Sequence, residues 1–310
     1  SDTLEPGAAI LDPFGISPRL ALELAGAGFK VISVCSNPVT RFVLRMAASN
    51  VQEEDLVAAL ALLAGSRVGD QRLEPYLKDI YQTTCPDCGT RTQAEFFVWQ
   101  KEPLEVVSKK VVCSSCTFDG IAEVTPEDKS KAEKYAADKL THARALSKIA
   151  PTSDPDRPTV ENALGQYLPR ALFVMFTTIN RFDSLTLPQE KRDQIVILLL
   201  SALYYGNTLW GYPTSLERPK QLVTPPQFME FNLWKVMEKA VGEWAGLNAE
   251  IPVYDLRKEQ PVETDGPGIW VFPGRFKDIA RIEGQLAPDC QVTVLPRPAP
   301  AYWTLSAMWG

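Results

Sequence analysis

The sequence contains a single histidine, His142, in 310 residues. General acid–base chemistry recruits histidine most often, and a base needs an acid or a nucleophile within hydrogen-bond reach. His142 stands in a polar stretch rich in Lys and Ala, with no such partner suggested. It reads as a solvated side chain, which leaves little room for a Ser–His or Cys–His hydrolase. Positive charge is not in excess either: 32 Lys and Arg against 38 Asp and Glu leave a net charge of −6. Phosphate binding rests on Lys and Arg, so the balance argues against a surface-wide nucleic-acid footprint and leaves a local basic groove open. The longest apolar run, residues 195–205, is interrupted by Ser201 and falls short of the ~20 residues that a bilayer-spanning helix needs. The opening Ser1-Asp2-Thr3-Leu4-Glu5-Pro6 lacks the charged segment and apolar stretch of a secretory signal. The expectation is a cytoplasmic chain without a membrane partner. A start without Met and an end at Met308-Trp309-Gly310 suggest a trimmed protein or one piece of a longer one.

What is present fits a globular protein, with 45% apolar and 23% charged residues allowing a sizeable core. Six cysteines occur, and four of them form Cys85-Pro-Asp-Cys88 and Cys113-Ser-Ser-Cys116, with 24 residues between the pairs. Without a secretory signal, such pairs read as metal ligands before disulfides. Two Cys-x-x-Cys turns can present four thiolates to one tetrahedral Zn²⁺, with the intervening segment forming a hairpin. Gly89 permits the tight turn after the first pair. Four thiolates close the coordination shell, so the expected zinc is structural. The alternatives are two unrelated reduced pairs or a redox dithiol. Between the cysteines, Asp87, Glu95, Glu102 and Glu105 balance Arg91, Lys101, Lys109 and Lys110, which favours a rigid insertion over a nucleic-acid surface. Cys35 and Cys290 lie in apolar contexts and read as inert buried thiols.

The periodicity is that of α/β structure at both ends of the chain. Strands are expected at 8–11 and 30–35, with helices following from Leu20 and from Asn37-Pro38. The rhythm returns after Gly266-Pro267-Gly268, with a strand at 269–272, a helix at 275–286 and a strand at 291–295. Between them, one exposed helix is expected at 126–149 and a linker at 153–158. Two apolar helices are expected over 172–206, parted at 183–188. A Pro-rich loop at 213–226 and an amphipathic helix at 228–244 complete the block. Trp210, Tyr212, Phe228, Phe231 and Trp234, beside Arg218 and Lys220, form either a core or a surface that stacks bases and contacts phosphate; a core is the favoured reading.

At this point the residues resemble a known family. Ile10-Leu-Asp-Pro-Phe-Gly-Ile-Ser-Pro18 is similar to the D-P-F-x-G-x-G cofactor loop of adenine-specific DNA methylases. Val31-Ile-Ser-Val-Cys-Ser-Asn-Pro38 resembles the V-x-G-V-D-x-N-P strand end that follows it. Val292-Thr-Val-Leu-Pro-Arg-Pro298, with Tyr302-Trp303 downstream, is similar to the V-x-x-D-P-P-Y strand end. A cysteine ribbon and a helical block between these motifs match the zinc-ribbon-containing branch of the family. The resemblance implies a Rossmann-like methyltransferase sheet with a zinc-ribbon insertion and an α-helical insertion. The expected layout is residues 1–70 and 251–310 for the Rossmann-like part, 71–124 for the ribbon and 125–250 for the helical insertion. It also implies S-adenosylmethionine contacts from Asp12, Phe14, Gly15 and Asn37.

The departures carry the functional reading. Ile16 and Pro18 replace the loop glycines, filling space and removing an N–H. Cys35 stands where an acid would accept ribose hydroxyls, and Leu295, Pro296, Arg297 and Pro298 replace D-P-P-Y. Leu cannot accept a bond from a target amine, and Pro is a poor stacking face for a flipped base. Thr224-Pro225-Pro226-Gln227 has a similar look, but it precedes an expected helix instead of following a strand. The resemblance with these losses implies a catalytically degenerate scaffold that binds DNA, RNA or a protein of the same system, with no catalytic residue. An active S-adenosylmethionine-dependent methyltransferase with an altered pocket, and a structural interaction module of a longer protein, are the alternatives.

Overall fold

The computed structural model describes residues 4–213, 220–247, 249–256, 266–279, 288–295 and 299–310. The chain divides into two compact units, one of Ser1–Glu53, Glu243–Pro298 and Trp309–Gly310, the other of Glu54–Gly242 and Ala299–Met308. No helix among the described residues is long and apolar enough to cross a membrane.

The first unit begins with β1 (Ala9–Asp12), α1 (Pro18–Gly26), β2 (Lys30–Val34) and α2 (Pro38–Ala48). Each helix starts with a side-chain cap followed by Pro. The Ser17 hydroxyl accepts from Leu20 N–H, and the Asn37 amide oxygen accepts from Val39 and Thr40 N–H. A proline at the first helical position gives up a donor that would be orphaned anyway. The sheet that these strands begin is wholly parallel. Its strands alternate between two apolar faces: Ile32 and Val34 pack with Leu11, Trp270 and Phe272, whereas Val31 and Cys35 pack with Ala21, Ala25 and Leu44. A parallel strand buried on both sides reads as a near-continuous apolar run, which is what Lys-Val-Ile-Ser-Val is. Each fully buried Val, Ile or Phe contributes roughly 1.5–3 kcal/mol.

The second unit opens with α3 (Glu53–Gly65), the short hairpin β3 (Arg67–Val68) and β4 (Gln71–Arg72), and α4 (Leu73–Ile80). Then come β5 (Gln82–Thr84), β6 (Arg91–Gln100), β7 (Glu105–Val112) and β8 (Asp119–Glu123), an antiparallel set. The helices α5 (Pro126–Ala136), α6 (Lys139–Ile149), α7 (Arg157–Leu164), α8 (Pro169–Asp183) and α9 (Gln189–Tyr205) follow. The single helix expected over 126–149 is corrected to two, because Asp138 caps a new start by accepting from Leu140 and Thr141 N–H.

A second correction concerns 228–244. Residues Gln227–Phe231 form a strand, β9, and only Leu233–Ala245 is helical, as α10. β9 runs antiparallel to β6, pairing Val98 with Met229 and Trp99 with Phe228, so the cysteine hairpin and the helical block share one sheet. Asn232 makes the switch: it is fully buried, its backbone N–H donates to Glu95 O at 2.9 Å and its side chain donates to Ala94 O at 3.0 Å. Its amide oxygen accepts from Lys235 N–H at 3.4 Å, at the start of the helix. Periodicity alone cannot separate a short buried strand from the first turn of a helix.

The chain returns to the first unit with β10 (Val253–Asp255), β11 (Gly268–Phe272), the short α11 (Phe276–Ile279) and β12 (Cys290–Gln291), and α12 (Pro300–Trp309) then belongs to the second unit up to Met308. The sheet order is β10-β11-β2-β1-β12, and every pairing is parallel. The strand expected at 291–295 is shorter and earlier, and the helix expected at 275–286 is described only as far as Ile279.

Candidate metal centre and the carboxyl edge of the parallel sheet

The four paired cysteines converge. Cys85 follows β5, Cys88 lies in the turn before β6, and Cys113 and Cys116 lie in the turn between β7 and β8. Their four sulfurs all lie within 4.8 Å of one another. Backbone bonds tie both turns: Gly89 N–H donates to Cys85 O at 3.1 Å, Cys85 N–H to Thr90 O at 3.0 Å and Cys113 N–H to Phe118 O at 2.9 Å. Gly89 has φ +70°, a conformation that glycine adopts without steric cost. Val111 and Phe118 pack against the sulfurs.

The distances decide what the cluster can be. Cys85 and Cys116 Sγ are 3.7 Å apart, as are Cys88 and Cys113 Sγ, far beyond the ~2.05 Å of a disulfide. A tetrahedron with metal–sulfur arms of about 2.3 Å has edges of about 3.8 Å. The four thiols therefore have the spacing to hold a metal ion such as zinc. Hydrogen bonds from the Thr90 hydroxyl and backbone pull the Cys88 thiol down to about 6, helped by Cys116 and Cys85. The Phe118 N–H pulls the Cys116 thiol down, but burial and its sulfur neighbours outweigh it and push the thiol up to about 12. Four thiolates this close repel one another. A dication at the centre removes that repulsion.

Beside this centre lies a buried ionic group that the sequence did not reveal. Lys109, one of the ribbon's balancing charges, is only 1% exposed. Its ammonium donates to Thr83 Oγ1 at 2.6 Å and to Asp128 Oδ2 at 2.7 Å. Asp128 belongs to a capping box with Thr125 at the start of α5. The Thr-x-x-Asp spacing was a legible signal for the cap; its long-range partner Lys109 was not. A second buried pair joins Arg170 of α8 to Glu230 of β9. Trp99 Nε1–H donates to Glu230 Oε2 at 2.7 Å, and the Arg170 guanidinium lies 4.4 Å from the Phe97 ring centroid.

The residues expected to contact a cofactor gather at the carboxyl edge of the parallel sheet. Chain order reverses around β1, flanked by β2 and β12, and ligands of open parallel sheets sit outside the carboxyl ends at such a point. Asp12 is buried there. Its Oδ1 accepts from Phe14 N–H at 3.3 Å, Gly15 N–H at 3.2 Å and the Thr293 hydroxyl at 2.6 Å. Its Oδ2 is buried with no partner. Gly15 has φ +50°, and a Cβ there would meet Val34 O at 2.6 Å, so the loop lies tightly on the end of β2. Phe14 is half-exposed, its ring 6.3 Å from that of Phe276. Asn37 is engaged as the cap of α2.

The departing residues have equally definite places. Cys35 is 2% exposed and packs in the apolar cluster with Val31 and Leu44; burial pushes its thiol up. Ile16 is exposed, Pro18 starts α1, and Leu295 is 72% exposed. Cys290, expected to be buried, is half-buried in β12. Pro296, Arg297, Pro298 and Arg218 lie outside the described residues. Thr224-Pro225-Pro226-Gln227 leads into β9 instead of following a strand, and its Thr224 hydroxyl is 2.7 Å from that of Thr208. Trp210, Phe228 and Trp234 are buried core residues, and His142 is half-buried on α6.

No protein-family model, curated protein or solved structure matches the chain.

Proposed function

We propose that this chain is a catalytically degenerate DNA-methyltransferase-like protein. In this reading the parallel sheet is Rossmann-like, the cysteine hairpin is a zinc ribbon, and the protein serves as a scaffold binding DNA, RNA or a protein partner. Zinc, when bound by Cys85, Cys88, Cys113 and Cys116, supplies structural cross-linking with no open position for a substrate. The observation that carries the proposal is the chemistry of the carboxyl edge. The thiol at the position expected for a ribose acceptor is packed in the core, and an exposed leucine stands where an amine acceptor belongs. Asp12 Oδ1 and Asn37 Oδ1 are engaged by their own loop and helix. Calorimetric titration of the zinc-loaded protein with S-adenosylmethionine and S-adenosylhomocysteine tests this. The expected result is silence up to millimolar ligand, with no methyl transfer to DNA. Micromolar binding accompanied by transfer would overturn it.

One observation favours a second reading, an active methyltransferase with an altered pocket. Asp12 Oδ2 is buried without a hydrogen bond, and an unsatisfied buried carboxylate oxygen costs about 1–3 kcal/mol or more. A ligand donor reaching that oxygen would remove the cost. Binding that is lost in Asp12→Asn would favour this reading.

A further inference from the structure

The helix α3 is apolar on both of its faces. Leu56, Ala59, Leu60, Leu63 and Ala64 are buried. The opposite stripe, Val57, Ala58, Ala61, Leu62 and Gly65, is exposed, with Val57 at 52% and Leu62 at 46%. A Cβ placed on Gly65 would meet nothing among the described residues within 4 Å. Surface helices carry polar residues on their outer face, and a helix that is apolar all round is normally covered. No charged or hydrogen-bonding side chain interrupts the stripe over about 12 Å of axis.

The ends of the stripe carry opposite charge. Exposed Glu53 and Glu54 stand at its N-terminal end. At its C-terminal end, Arg67 and Arg72 are exposed and directly paired across the β3–β4 hairpin. An acidic end, an apolar middle and a basic end form a surface complementary to its own image under a two-fold axis perpendicular to the helix. That is the requirement for an isologous contact, in which the same patch meets itself. Antiparallel pairing sets Glu53 and Glu54 of one chain against Arg67 and Arg72 of the other. Ala58, Ala61 and Gly65 let the two helix axes approach to about 8 Å.

We propose that the exposed face of α3 is a self-association seam that docks antiparallel on α3 of a second copy of this chain. One helix pair buries less than the ~1,200 Å² of a standard stable interface, so the association is weak and concentration-dependent. Its charged ends make it weaker as salt rises.

Sedimentation of the zinc-loaded full chain across a concentration series reads this directly. The weight-average mass should climb from 34.4 kDa towards twice that value, and less steeply in high salt. Ala61→Arg, on the exposed face, should weaken association by about tenfold or more, because a charge then lies in the apolar seam. Reversing the acidic end (Glu53→Lys with Glu54→Lys) should weaken it by roughly threefold to tenfold. Adding Arg67→Glu with Arg72→Glu should restore it. Circular dichroism reports that each variant is folded. A monomer at every concentration, or association indifferent to Ala61→Arg, overturns the proposal. Failure of the second reversal to restore association overturns the antiparallel pairing, and with it the seam as proposed.

Discussion

The two units of the molecule bury their polar groups differently. In the first, the core is a run of alternating apolar side chains on both faces of a parallel sheet, and Asp12 and Ser33 are the polar residues buried in its strands. In the second, two ion pairs lie almost wholly out of solvent, Lys109–Asp128 and Arg170–Glu230, alongside four converging thiols. An apolar contact tolerates a missing neighbour at the cost of the lost area, whereas a buried charge that loses its partner keeps its full desolvation penalty. The first unit should therefore yield gradually to substitution and the second abruptly.

The sharpest test is metal removal. Chelation, or Cys113→Ser, should lower the melting temperature by on the order of 10 °C or more, since structural zinc sites contribute several kcal/mol to folding. Hydrogen exchange should accelerate in β5 to β8 and leave β1, β2 and β11 protected. Equal loss of protection in both sheets would erase the distinction between the units. Metal analysis should return one zinc per chain.

Next in size is Glu230→Ala, which leaves Arg170 charged and buried and should cost about 3–5 kcal/mol in urea unfolding. If the double variant Arg170→Met with Glu230→Leu is no more stable than Glu230→Ala, the cost does not come from the stranded charge.

Lys109→Met should cost roughly 3 kcal/mol, and its dependence on pH identifies the cause. Burial pushes the Asp128 carboxyl up, but the Lys109 ammonium and the Thr125 backbone together hold it below its ordinary value of 3.8. A depressed carboxylate stabilises the fold above its unfolded value, and that stability is lost as pH falls through the folded value. With Lys109 gone, burial dominates, the folded carboxyl rises and protonation favours the fold. The gap between wild type and variant should narrow as pH falls from 6 towards about 4. A gap constant with pH would locate the loss in packing instead.

The smallest effect is expected in the apolar unit. Gly15→Ala places a Cβ against Val34 O and demands a positive φ, at a cost of about 1–3 kcal/mol. Thermal unfolding checks it, and a neutral outcome would show that the loop lifts off the end of β2 without penalty.

Much of the first unit was legible because its signals are local. Asn37-Pro38 announces a helix start through its own side chain and ring, and Ile32 and Val34 alternate with Val31 and Cys35 at the period of a strand, whereas the first helix, expected from Leu20, starts two residues earlier at Pro18 behind the Ser17 cap. The metal centre was legible for the same reason, since two residues between cysteines suffice to shape each turn. What was not legible depends on partners far along the chain. Gln227–Phe231 became a strand because β6 lay beside it, 131 residues from Trp99 to Glu230. Lys109 looks like any other ribbon lysine until Thr83 and Asp128 enclose it.

Composition and spacing thus determined, without help, that the chain is mixed α/β and that four cysteines lie in two Cys-x-x-Cys turns. Tertiary structure decided where those residues point and which charges are buried. The division has a physical cause. Caps, turns and periodicity are satisfied by atoms within a few residues, and they leave a pattern in the sequence. Burial of a charge is settled by atoms that only folding brings near, and a lysine carries no mark of the carboxylate it will meet.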